Sequence, residues 1–206
     1  MKEFPKHLVK ICGLTTSADT RYAVEHGATA VGFIFAPSSR QVTTTQARDL
    51  SAVAASVLRV GVMKDLNPKE IIEVVDNVEL DAVQLHDAPS DDLVAELRGR
   101  ELGLLAVHHR GDDFLGLTAD FDAWLFDNPE PGSGVANDFR ALGKTCFQGP
   151  IVLAGGLDPD NVGDIIRTLH PYGVDVASGV ESSPGIKDLG KVLAFITTAN
   201  KAFEEQ

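Results

Sequence analysis

The chain has 206 residues, 44% of them hydrophobic and 23% charged, with 19 glycines and 10 prolines spread along its length, which describes a globular protein with a sizeable core and excludes a fibrous or low-complexity one. Lys and Arg number 18 against 30 Asp and Glu, a formal charge of −12 that repels nucleic acid and anionic membrane surfaces at long range. No apolar run approaches the roughly 18 residues of a membrane span, the start MKEFPKH lacks a secretory apolar stretch, and Cys12 and Cys146, without CxxC spacing, read as thiols of a reducing, cytoplasmic compartment.

Short β-branched apolar runs recur, each followed by a turn signal and then a stretch of helical period. In chain order, a strand over 7–12 leads to a helix over 17–26, a strand over 30–35 to a helix over 45–53, and a strand over 57–62 to a helix over 68–76. Asn67 before Pro68, with Glu70 three residues on, is a capping signal for the third helix. The fourth pair covers 82–85 and 90–99. A fifth strand over 102–107 is followed by the weakest helical stretch, 112–118, and a sixth over 123–126 by a helix over 138–143. The seventh strand, 150–154, leads to a helix over 159–169 capped by Asp158, and the eighth, 174–177, to a helix over 189–200.

Eight nearly continuously apolar strands alternating with helices predict a parallel sheet buried on both faces. The fold expected is a closed (β/α)8 TIM barrel, one domain spanning residues 1–206, with about 26 residues per unit and little room for decoration. An open doubly wound sheet is disfavoured because no GxGxxG follows the first strand. Chemistry in such a barrel belongs at the carboxyl-terminal rim, where strands hand over to helices.

At the first junction stands Lys10-Ile11-Cys12-Gly13. A free cysteine is most often a small buried hydrophobe, but one closing a barrel strand beside glycine can face the mouth as a base or nucleophile. Cys146 precedes the seventh strand, toward the other end of the barrel, and reads as structural. Arg40, after a Pro-Ser-Ser turn at the second junction, is either solvated surface or a grip for a carboxylate or phosphate. Asp127 closes the apolar sixth strand, a poor place for a core residue and a good one for a general acid. Gly155 and Gly156 follow the seventh strand, and Ser178 and Gly179 the eighth. Either group alone could be a tight turn, but together they occupy the usual phosphate site of these barrels. His86, His108, His109 and Asp112 do not make a metal site, since adjacent strand residues point to opposite faces; no metal is expected.

Taken together, these junctions resemble the phosphoribosylanthranilate isomerase family of tryptophan biosynthesis. The resemblance covers essentially the whole chain. It rests on Lys-Ile-Cys-Gly at 10–13, Gly-Phe-Ile-Phe and Ser-Ser-Arg-Gln-Val within 32–42, Val-Gln-Leu-His at 83–86, Leu-Ala-Gly-Gly-Leu at 153–157, Val-Asp-Val-Ala-Ser-Gly-Val-Glu at 174–181 and Pro-Gly-Ile-Lys-Asp at 184–188. It implies an Amadori rearrangement without a cofactor, with Asp127 as general acid and Cys12 as general base. Arg40 would hold the anthranilate carboxylate, and Gly155, Gly156, Ser178 and Gly179 the phosphate, with His86 and Asp175 as further contacts at the mouth. The small-molecule substrate would be phosphoribosylanthranilate, and the protein a monomer or homodimer. The chain departs from the family pattern at Asp87, at Val135, where a lysine is usual, and at Ala177.

Three rivals carry other expectations. A sugar-phosphate epimerase needs a His and carboxylate metal set, yet strands two and three end in Phe35 and Met63. Indoleglycerol-phosphate synthase uses lysines at strand ends, and only Lys64 is a candidate. A non-catalytic phosphate-binding barrel gives no reason for Cys12 and Asp127. A related barrel isomerase of histidine biosynthesis runs the same chemistry on a substrate with two phosphates, but 63–68 and 86–89 hold no glycine for a second phosphate loop, so a single-substrate enzyme is expected.

Overall fold

The structure, a computed structural model, describes residues 2–109, 121–127 and 149–206, the side chain of His109 excepted. Eight strands, β1 (Leu8–Cys12), β2 (Ala30–Ile34), β3 (Leu58–Met63), β4 (Ala82–Leu85), β5 (Gly103–His109), β6 (Ala123–Asp127), β7 (Ile151–Leu153) and β8 (Gly173–Val176), close into a barrel in sequence order. All eight neighbouring pairs are parallel, and β8 returns to β1 with Lys10 opposite Asp175. The described helices are α1 (Ser17–Glu25), α2 (Thr44–Val53), α3 (Pro68–Asn77), α4 (Asp91–Gly99), α5 (Val162–Leu169) and α6 (Leu189–Glu204). None is long and apolar enough to cross a membrane.

Local chemistry accounts for where the helices start. Thr16, Thr43, Asn67, Ser90 and Asp188 accept hydrogen bonds from the otherwise orphaned first-turn N–H groups of α1, α2, α3, α4 and α6, each such cap contributing about 1 kcal/mol. Asn67 and Glu70 form the expected capping box, with Pro68 opening α3. At α5 the expected Asp158 cap is not what opens the helix: Asn161 stands at the N-cap position, without a side-chain cap bond. The Asp158 carboxylate accepts from the N–H groups of Asp160 and Asn161, and Asn161 answers through Asp158 N and Gly156 O. That reciprocal pair closes a separate turn, so the regular helix begins at Val162 instead of 159.

Other boundaries also differ from the pattern. Strand β5 runs on to His109, because its last two residues pair with Phe126 and Asp127 on β6. Helix α6 continues to Glu204, where Ala202 and Phe203 are still buried. A hairpin of β9 (Glu181–Ser183) and β10 (Ile186–Lys187) follows β8 and had no signal in the hydrophobic period. The helical stretches expected over 112–118 and 138–143, the loop with Val135, and Cys146 and Asp112 lie outside the described residues.

The apolar strands read as continuous because both their faces are buried. Leu8, Val60, Leu105, Leu125 and Val152 fill the barrel interior, while Val9, Ile11, Phe33, Val83 and Leu104 pack outward on the helices. Phe4 and Tyr172 pack against the interior cluster from the amino-terminal end. The open end is therefore the carboxyl-terminal one, and strand alternation sends Lys10 and Cys12, two residues apart, to the same side as Leu8.

Candidate functional site

A cavity of about 260 Å³ sits in that open end, and Cys12, Arg40, His86, Asp127, Gly155, Gly156, Asp175, Ser178 and Gly179 all line it. Every site residue expected from the sequence thus reaches one space, although they come from six of the eight junctions. The structure adds Lys64 and Gln84 to the lining.

Cys12 ends β1, 4% exposed, opposite Gly32 on β2. A Cβ on Gly32 would stand 2.8 Å from the Cys12 sulfur and 3.1 Å from Lys10 Nζ, so the missing side chain is what lets both groups point inward together. Burial is the main influence on the thiol and pushes it up, with Asp175 adding to this, while Lys10 and Lys187 work against it. Asp127 closes β6 and is only partly buried, on the same side of its strand as Leu125 of the interior.

Arg40 is not a free guanidinium. Its Nε and Nη2 donate to the two carboxylate oxygens of Glu181, at 2.7 Å each. Lys187 Nζ donates to Glu181 Oε1 at 3.0 Å and to Ala177 O at 2.9 Å. The hairpin turn at Gly185 presses on Ser39 O, where a side chain would have no room and where φ is +83°. The hairpin thus supports the loop that carries Arg40. Two cations share one carboxylate, so the cluster keeps a net charge of +1 and remains able to take an anion. Its Nη1 makes no hydrogen bond among the described residues. The Arg40–Glu181 bond raises the guanidinium's affinity for its proton, and burial of Lys187 lowers that of its ammonium.

The two glycine loops follow β7 and β8, and the second leads directly to Glu181, the partner of Arg40. Gly155 and Gly156 have φ of +79° and +75°, a backbone that side chains rarely adopt. Ser178–Val180 form a single 3-10 turn after β8. A side chain at Gly179 would collide with Leu157 O, so glycine there permits the two loops to touch. The N–H groups of Gly155, Gly156, Ser178 and Gly179 donate to no backbone carbonyl among the described residues. Four such donors line one rim, and amide dipoles in such a place can hold an anion despite the protein's negative charge.

The interior beneath this mouth was not foreseen. Lys10 is fully buried and donates to Asp175 Oδ1 at 3.1 Å and Gln84 Oε1 at 3.0 Å. An ammonium can only donate, so it fixes the Gln84 oxygen as the acceptor and leaves the amide nitrogen facing His86 Nε2, 3.2 Å away. His86 Nε2 therefore faces the donor side of that amide. A charged residue at an inward position of an otherwise apolar strand was the signal for Lys10. Glu181 and Lys187 gave no such signal, because their partners lie in other loops.

The family model described as N-(5'phosphoribosyl)anthranilate (PRA) isomerase matches residues 9–198. An N-(5'-phosphoribosyl)anthranilate isomerase of Streptococcus pneumoniae is 41% identical over 189 residues, covering 91% of this chain and 93% of that protein. Among solved structures, phosphoribosyl anthranilate isomerase in complex with reduced 1-(o-carboxyphenylamino)-1-deoxyribulose 5-phosphate superposes with a TM-score of 0.82 at 34% identity, covering 95% of this chain and 99% of that one. The enzyme from Thermotoga maritima gives a TM-score of 0.81 at 33% identity, with the same coverage.

Proposed function

The chain belongs to the N-(5'-phosphoribosyl)anthranilate isomerase family, and from that premise we propose that Asp127 and Cys12 carry its reaction as general acid and general base. The reaction is the Amadori rearrangement of N-(5-phosphoribosyl)anthranilate to 1-(o-carboxyphenylamino)-1-deoxyribulose 5-phosphate in tryptophan biosynthesis. The Asp127 carboxylic acid donates its proton to the furanose ring oxygen. The bond from that oxygen to C1 breaks, and the anilino nitrogen lone pair forms a cationic C1=N iminium. The Cys12 thiolate then removes the C2 proton, and the released electron pair makes C1=C2 while the nitrogen regains its lone pair. Protonation at C1 with loss of the enol proton from the C2 oxygen yields the ketone. The iminium charge appears close to Cys12 when the proton must leave, which favours the thiolate at that step.

The four glycine-loop N–H groups would hold the phosphate, and Arg40 the anthranilate carboxylate through its Nη1 edge, with Glu181 holding the guanidinium plane. His86 and Asp175 are further contacts at the mouth. A reducing cytoplasm, which keeps Cys12 a thiol, belongs to the same reading. The observation that carries it is the convergence of Cys12, Asp127, an anchored arginine and an anion cradle on one cavity. Freshly generated phosphoribosylanthranilate should lose its fluorescence when the purified protein is added. A folded chain that leaves the decay at the buffer rate would refute the reading.

Arg40→Met should mainly raise KM, by the equivalent of about 1.5–3 kcal/mol for a lost charge-assisted hydrogen bond. The carboxylate it would hold is remote from the bonds that change, and Lys187 still pairs the Glu181 left behind. Steady-state kinetics and binding of inorganic phosphate separate the alternatives. Loss of phosphate binding with KM otherwise intact would place Arg40 at the other end of the substrate.

A further inference from the structure

We propose that Lys10 is a positioning residue for the reaction, a buried ammonium one pleat beneath Cys12 whose charge eases formation of the thiolate that takes the C2 proton. The inference rests on the reading of Cys12 as the base.

An apolar barrel interior does not call for Lys10. Its side chain is fully buried among residues such as Leu8, Ala30 and Ala82, where a methionine would fill similar space without desolvating a charge. The protein instead satisfies the ammonium with two ligands from distant strands, Gln84 on β4 and Asp175 on β8. An ammonium has three donors, two of them taken by these ligands, and the Cys12 side chain, two residues along the same strand and on the same face, is a further group that acts on its charge. Gly32 supports this placement, since sulfur and nitrogen both approach the empty space where its Cβ would be.

The electrostatics of this group also set the roles apart. Burial works to strip the proton from Lys10, but Asp175 and Cys12 outweigh it and bind the proton more firmly than usual. Lys10 is therefore a fixed cation and not itself the base. The charged groups acting on Cys12 are Lys10 on β1, Asp175 on β8 and Lys187 on β10. Glu181 pairs with both Lys187 and Arg40, and Lys64, His86 and Asp127 complete the mouth. The nearest pair opposes itself, with Lys10 favouring the thiolate and Asp175 disfavouring it.

Lys10→Met keeps an unbranched side chain one atom shorter and removes the charge. At neutral pH kcat should fall at least about tenfold with KM changed by less than about threefold, and the alkaline midpoint of kcat/KM should rise by at least about one pH unit. The same upward move should appear in the pH profile of Cys12 alkylation by iodoacetamide, read by peptide mapping so that Cys146 is scored separately. A folded variant with unmoved midpoints would overturn the proposal, since a merely structural lysine would change stability alone. If Lys10→Met does not fold, Asp175→Asn gives the test with the opposite sign. Removing the competing carboxylate frees the Lys10 charge for the sulfur, so the alkylation midpoint should fall; a midpoint that stays or rises would overturn the proposal. Alkylation is read without substrate, so failure of this coupling is distinct from failure of the base assignment, which would show as wild-type kcat in Cys12→Ser.

Discussion

Cys12→Ser and Asp127→Asn should each lower kcat by at least about a hundredfold, the usual contribution of a positioned acid or base, with KM nearly unchanged. Serine has no accessible anion at neutral pH, so it occupies the place of Cys12 without its basicity. Asparagine keeps the shape of Asp127 but has no acidic proton for the ring oxygen. Neither group carries ground-state binding in this reading, because the phosphate rests on backbone N–H groups and the ring carboxylate on Arg40. The wild type should also show the cost of burying its base. The Cys12 thiol is pushed above the ordinary range by burial, so kcat/KM should climb about tenfold per pH unit through neutrality toward that thiol's own midpoint. Wild-type kcat in either variant would remove that residue from the mechanism.

A second expected result concerns substrate breadth. On the bisphosphate aminoaldose of histidine biosynthesis, kcat/KM should be lower than on phosphoribosylanthranilate by at least about 10⁴, the range in which buried polar recognition goes unmatched. A second phosphate would need its own cradle in the half of the mouth formed by the junctions after β3 and β4. There the chain offers Lys64-Asp65-Leu66-Asn67 and His86-Asp87-Ala88-Pro89, with no glycine among them. The Asp87 carboxylate already takes the Asp65 N–H at 2.7 Å, so one of the few available donors is used and an anion stands in the path of another. Like charges at this exposed rim are screened and cost little. The larger cost is a phosphate dianion stripped of water without N–H partners. Comparable turnover of both substrates would show that a second anion site exists.

How much of this was legible in the chain depends on the range over which each feature is decided. The eight strands and most helix starts follow from period and capping within a few residues, as Asn67, Pro68 and Glu70 illustrate. Strands apolar on both faces call for a parallel sheet covered on both sides, and the absence of GxGxxG after the first strand favoured the closed ring over an open sheet. Seven of the mouth residues were legible for the same reason, since they stand at strand ends or in the loops that follow and the barrel brings such positions to one rim, whereas His86 and Asp175 came only from the family resemblance. Local rules failed where a second turn competed, at Asp158 and Asn161, and where cross-strand pairing lengthened β5 to His109.

What the sequence by itself determined is the set of chemical groups at the rim: Cys12, Arg40, Asp127 and the two glycine pairs, with residue types that already suit proton transfer and anion binding. What only the tertiary structure decided is how those groups are held. Arg40 is locked to Glu181, 141 residues away, and Lys10 to Asp175, 165 residues away, pairs that no local pattern announces. They exist because barrel closure sets β8 beside β1 and folds the hairpin after β8 against the loop after β2. A buried charge is tolerable only with its partner in place. The sequence supplies both members of each pair, but only the closed ring puts them within hydrogen-bonding distance.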